Sequence, residues 1–279
     1  MDVARLWVRW CRSVLPVGAF AVRRFGNDRA AAADSQVAPM LLAAARNNSS
    51  WCEAMCRAHG FSGELSDVAW VNLKKSLTYY PNLVILSPSM SGSEVLDVLR
   101  EAPLGPLFVK DSFANADLLP GNYRILIEAE WIHRPAAVAA SVPVASRGGA
   151  DQRWRRITGA DELRTWERAW AGGDTSVNTF PETLLLDDDV IFLGGFSGDS
   201  LVAGAVLHLS HGVAGVTNVF GPPGESARTW AGLVSCAHEE APGVDLVGYE
   251  RDAELAAAEE NGFAPLGPVR IWQQMAGSQ

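Results

Sequence analysis

Phe220-Gly221-Pro222-Pro223-Gly224-Glu225-Ser226 is the stretch best suited to hold an anion. It follows an apolar run, Ala214–Phe220, that reads as a strand. It leads into a helix with Ala227, Trp230, Ala231 and Val234 on one face. A strand that stops at a glycine turn and feeds a helix start leaves free backbone N–H groups and the helix dipole facing one point. Side chains able to move protons lie in the neighbouring runs. His208, on the apolar run Leu201–Leu209, has an imidazole that unperturbed titrates near ~6.5. Tyr249 and Glu250 end the strand-like run Val244–Tyr249 and offer an alternative acid and base. Each also has a plain structural reading, as a strand histidine in a polar pocket or as strand-end polarity.

Other reactive residues carry less. Cys52, Cys56 and His59 share one face of a helix, whereas zinc draws its ligands from separate elements, and His208 and His211 do not face one way on a strand. No metal is expected. Cys236 and His238 lie on the helix after the turn and read as structural, as does the pair Glu128 and Glu130 on one face of Tyr123–Trp131.

The surrounding elements divide into two halves. In the first, Ser50 with Glu53 and Ser91 with Glu94 have capping-box spacing at helix starts, and Val68–Leu73, Leu83–Leu86, Leu107–Val109 and Tyr123–Trp131 read as strands. The second opens with Trp154–Ile157. A helix capped by Thr158 and Asp161 bears Leu163, Trp166 and Trp170. Further on come a helix capped by Asp252, a stop at Gly262 and a last strand, Val269–Gln273. The Ala/Val/Pro/Ser run of residues 136–152, with its Arg-Gly-Gly-Ala, reads as a linker. Ala102-Pro103-Leu104-Gly105-Pro106 recurs as Ala264-Pro265-Leu266-Gly267-Pro268, an echo that fits duplication.

Composition sets the class. Apolar residues are 48% and charged residues 20% of 279, enough for a sizeable core in two domains. A net charge of −9 argues against a broad nucleic-acid footprint. The first 36 residues are the exception: Arg5, Arg9, Arg12, Arg23, Arg24 and Arg29 stand there among Leu6, Trp7, Trp10 and Val14, and read as a poorly ordered basic extension or a surface-binding helix. Four scattered cysteines suit reduced thiols, and no apolar run reaches the ~18 residues of a membrane span, so a cytoplasmic location is expected.

Leu201-Val202-Ala203-Gly204-Ala205-Val206, the turn and helix start at Phe220–Ala227, Asn261-Gly262-Phe263 and Val269–Gln273 together resemble the Gcn5-related N-acetyltransferase (GNAT) superfamily over residues 153–275. The first half resembles a shorter, degenerate copy. The resemblance implies an α/β (α+β) fold of two GNAT-like domains, each a mixed, mostly antiparallel sheet flanked by helices. The divisions are 1–36 (extension), 37–135, 136–152 (linker) and 153–279, the last binding acyl-CoA. In that fold the fourth and fifth strands part to hold the cofactor. Here these would be the ribbons near Val206 and Asn218. Asn218, Val219 and Phe220 would line pantetheine, and Gly221, Gly224, Glu225, Ser226 and Ala227 would approach pyrophosphate, with Arg228 offsetting Glu225.

The implied activity is acyl transfer from acetyl-CoA or another acyl-CoA to the amine of a small molecule, with His208, Tyr249 or Glu250 moving protons, by a monomer or homodimer. The sequence departs from the family in three ways: Pro222 and Pro223 lack N–H donors, Glu225 brings negative charge, and Ala258 stands where a general-acid Tyr is usual. Two alternatives follow, a non-catalytic tandem-GNAT binding or regulatory module and an aminoacyl-tRNA-dependent transferase of related fold.

Overall fold

The computed structural model describes residues 30–74, 77–78, 80–102, 106–137, 152–174 and 177–275. The basic extension before Ala30 and most of the expected linker lie outside these residues. The first half supplies helix α1 (Ala30–Ala58), strands β1 (Glu64–Leu65), β2 (Ala69–Val71) and β3 (Leu83–Ile85), helix α2 (Gly92–Leu99), and strands β4 (Phe108–Asp111) and β5 (Tyr123–Arg134). The second supplies β6 (Gln152–Ile157), α3 (Ala160–Trp170), β7 (Val190–Ser197), β8 (Ser200–Ser210), β9 (Val213–Phe220), α4 (Ser226–Glu240), β10 (Asp245–Glu250), α5 (Asp252–Glu260) and β11 (Ala264–Gln274).

The strands form one continuous eleven-stranded sheet in the order β1-β2-β3-β4-β11-β5-β10-β9-β8-β7-β6. The expected halves are therefore interleaved: β5, from the first, lies between β10 and β11 of the second, antiparallel to both. Reading outward from the central β11–β5 pair, both directions meet the same series. An antiparallel neighbour (β4 or β10) is followed by a strand parallel to it (β3 or β9), joined through a helix (α2 or α4). Two antiparallel strands then follow, β2 and β1 on one side, β8 and β7 on the other. Pro265 and Pro268 fit because β11 pairs only with β5 over that stretch, its pairing with β4 starting at Arg270.

Strand alternation divides the core between the two faces. Trp131, Val247 and Ile271 point to the face covered by α1 and α3, here called the front, while their neighbours Ile132, Leu246 and Trp272 point to the back, covered by α2, α4 and α5. Each large aliphatic or aromatic side chain buried this way contributes about 1.5–3 kcal/mol.

Three local expectations change. Ser50 and Glu53 sit inside α1 rather than at its start. Ser50 Oγ meets His211 Nε2 at 3.0 Å, and Glu53 accepts from Trp70 Nε1 and the Gly63 N–H. Helix α3 is capped by Gly159, with no side-chain bond from Thr158 or Asp161 acting there. The N-cap of α5 is Arg251, not Asp252. The box at Ser91 and Glu94 forms in full.

Candidate functional site

β9 and β10 pair only through Asp245↔Val213, Leu246↔Ala214 and Val247↔Gly215. Beyond that point β9 runs on to Phe220 and β10 to Glu250 without pairing to each other, so the two parallel strands part. The parting is not where the sequence resemblance puts it. Near Val206 and Asn218 the ribbons stay joined, with Val206↔Thr217 and Gly204↔Phe220 in register around a bulge. The resemblance misplaces the gap by one strand, because β8 and β9 form an antiparallel hairpin and only a parallel neighbour can diverge at a helix start. The bulge residue is Asn218, whose φ of 53° is a left-handed conformation that Asn tolerates.

A cleft of about 580 Å³ opens at the parting, bordered on one side by Ala169, Trp170 and Gly172 at the end of α3. Its walls are the end of β9, the turn Gly221–Gly224, the start of α4, and the β10–α5 junction from Glu250 to Glu254. Phe220 is held over it by Trp166, whose ring meets Phe220, Phe180 and Phe192 edge-on at 5.1–5.2 Å between centroids. Gly204 makes this possible, since a Cβ there would lie 2.3 Å from Trp166 Nε1.

The turn itself is built on backbone. Glu225 N donates to the Pro222 carbonyl at 3.1 Å, and Gly224 takes φ 79°. The N-cap residue of α4, Glu225, makes no side-chain cap bond. Thr229 Oγ1, on the cleft wall, is buried with no hydrogen-bond partner among the described residues. A Cβ on Gly221 would come within 2.2 Å of that oxygen. These features fit an extended cofactor with an anionic end.

The carboxylates around the cleft are largely accounted for. Glu254 accepts from Ser226 Oγ at 2.6 Å and Trp230 Nε1 at 3.0 Å. Asp252 lies 3.6 Å from Arg251. Burial, reinforced by Glu254, pushes Glu250 up to about 8, so that it is mostly uncharged at neutral pH. Glu225 is turned out of the cleft, 3.7 Å from Arg228 and 3.4 Å from Gln152 Nε2.

No protein-family model matches the chain, and no curated protein matches it in sequence. Solved structures do match in shape. A GCN5-related N-acetyltransferase from Kribbella flavida superposes with a TM-score of 0.54 at 12% identity, over 84% of this chain and 96% of that one. A conserved protein of unknown function from Staphylococcus epidermidis gives 0.52 at 8% identity, over 76% and 92%. The fold is that of the GCN5-related N-acetyltransferases.

In this GNAT fold the sequence-predicted residues fall into three groups. Val219, Phe220, Gly221, Gly224, Ser226 and Glu250 line the cleft. Asn218 and Tyr249 line a smaller cavity under α1 instead. His208, Glu225, Ala227 and Arg228 are not on the cleft wall. His208 lies under α1, its ring 5.9 Å from Trp51, its Nδ1 3.4 Å from Ser210 Oγ, and burial lowers its pKa. The structure does not bring it to the other candidates. Ala258 is buried in the core on the back face.

The sequence reading misses the stretch Arg251–Glu254 of the β10–α5 junction. The signal was present, because two adjacent parallel strands end on the same side and their following helices start there together. Using it required knowing that β9 and β10 are neighbours. Among the described residues there is no cluster of three or more His, Cys, Asp or Glu able to hold a metal, and no helix is long and apolar enough to cross a membrane.

Proposed function

We propose that the protein is an acyl-CoA-dependent N-acyltransferase acting on the amine of a small molecule. The observation that carries this is the parting of β9 from β10 onto a cleft that ends at the start of α4, whose N-cap residue makes no side-chain cap bond. The unpaired edge of β9 would hold the extended arm. The N–H groups of Ser226, Ala227 and Arg228 would face its phosphates, with Thr229 Oγ1 as a further donor. The cofactor supplies the thioester-bound acyl group.

The chain's own part is proton handling and exclusion of water. Glu250, on the cleft wall and shifted toward neutrality, is the candidate general base for the incoming ammonium. Tyr249, on the opposite face of the same strand, is a candidate acid. Acetyl-CoA and longer acyl-CoAs are the donors to try. The palindromic strand order supports a tandem origin in which each half lends the other a strand. A net charge of −9 speaks against tRNA as donor.

A second reading, a binding module without turnover, is favoured by Ala258 in place of the usual acid and by the carboxylates at the cleft mouth. Calorimetric titration with acetyl-CoA and longer acyl-CoAs, followed by turnover across an amine panel, separates the two. Binding with turnover supports the enzyme, and binding alone supports the module. No heat with any acyl-CoA removes both.

A further inference from the structure

A front-side cavity of about 30 Å³ lies at the parting, next to the cleft. Thr217, Asn218 and Tyr249 line the cavity, while the next residues on the same strands, Val219, Phe220 and Glu250, line the cleft; Trp170 borders both. The cavity is roofed by α1 and floored by Lys110 of β4, which is only 3% exposed. Lys110 Nζ donates to Asn48 Oδ1 at 2.5 Å and sits 4.3 Å from the centre of the Tyr249 ring. Among the described residues no carboxylate lies within ion-pair distance of it, and none lines the cavity.

A buried cation without a counter-charge is expensive to keep. Burial brings Lys110 down to about 8, so it still carries its proton at neutral pH. The adjacent thiol of Cys52 cannot balance it, because burial pushes that group up to about 11. The remaining polar neighbours, Asn48, Asn218 and Tyr80, are hydrogen-bonding groups. The cavity therefore offers one positive charge, fixed hydrogen-bonding groups and room on the scale of a few atoms, since a single water needs about 10–15 Å³ by the same measure. A doubly charged phosphate would exceed both the space and the single cation.

We propose that this cavity is a carboxylate subsite, in which Lys110 and Asn48 take the free carboxylate of a substrate bound across the parting of β9 and β10. The proposal rests on the acyltransferase reading for its place in the reaction, and names the chemistry of what is bound. The carboxylate can belong to the acyl group, as in a dicarboxylic acyl-CoA, or to the acceptor, as in an amino acid.

The test has two arms. Succinyl-CoA is titrated against acetyl-CoA, and L-amino acids against their amides, on the wild type, Lys110→Met and Asn48→Asp. The second variant places an internal counter-ion beside Lys110 and should fold even if the first does not. In one arm, the carboxylate member should bind the wild type at least tenfold more tightly than its neutral counterpart. That preference should fall below threefold in either variant, while acetyl-CoA binds all three proteins alike. The arm that responds identifies the source. No preference in either arm, or a preference that survives both substitutions, overturns the subsite. Loss of acetyl-CoA binding by the wild type would instead count against the acyltransferase reading, and the amino-acid arm would still be read independently of it.

Discussion

The units β3–α2–β4 and β9–α4–β10 follow the same path through one sheet and differ at the helix entrance. At α2 the chain closes the entrance itself. Ser91 Oγ accepts from Glu94 N, and Glu94 Oε2 accepts from Ser91 N at 2.7 Å. Gly92 packs so tightly that a Cβ would lie 2.1 Å from the Asp117 carbonyl. At α4 the N-cap residue makes no side-chain cap bond, a Cβ on Gly224 would meet open space, and a cleft of about 580 Å³ stands in front. One architecture thus serves as a structural plug where the N-cap side chain closes the helix start, and as a candidate binding site where it does not.

Substitutions in the two units should separate accordingly. The largest effect is expected from Glu250→Gln, which removes the candidate base from the open unit. Turnover should fall by about 10²–10⁴. Because Glu250 is raised to about 8, the wild-type rate should climb as pH rises through that value and the carboxylate forms. The variant should lose that limb in a pH–rate profile.

Gly224→Glu should come next, weakening acetyl-CoA binding by roughly tenfold or more through charge and crowding at the helix start. The measurement is calorimetric. Ser91→Ala should act on the closed unit alone, lowering stability in urea by about 0.5–2 kcal/mol with acetyl-CoA affinity unchanged. The bond from Ser91 holds the Glu94 carboxyl below its usual range. Its stabilising contribution is therefore present above the ordinary carboxylate range and is lost as pH falls through the lowered value. His208→Gln should have the smallest effect on turnover, within a few-fold, since the imidazole lies under α1. A loss comparable to that of Glu250→Gln would mean the chemistry lies under α1.

Local features were the legible ones. The box at Ser91 and Glu94 depends on four consecutive residues, and β8 and β9 are long apolar runs, so neither needs tertiary knowledge. The box-like pair Ser50 and Glu53 misleads because its side chains are drawn to His211 and Trp70, partners distant in sequence. The site was half legible for the same reason. The turn Gly221–Gly224 announces itself, but the strand that parts from it does not. The pairing of β10 with β5, and of β5 with β11, joins strands far apart in the sequence. Lys110 looks like an ordinary strand lysine until α1 is laid over it.

Amide hydrogen exchange with and without acetyl-CoA tests the central claim most directly, because it reads both units at once. Added protection in residues 216–229 and at the β10–α5 junction, with none at 91–96, is the predicted result. No change at the start of α4, or protection at α2 instead, would contradict it.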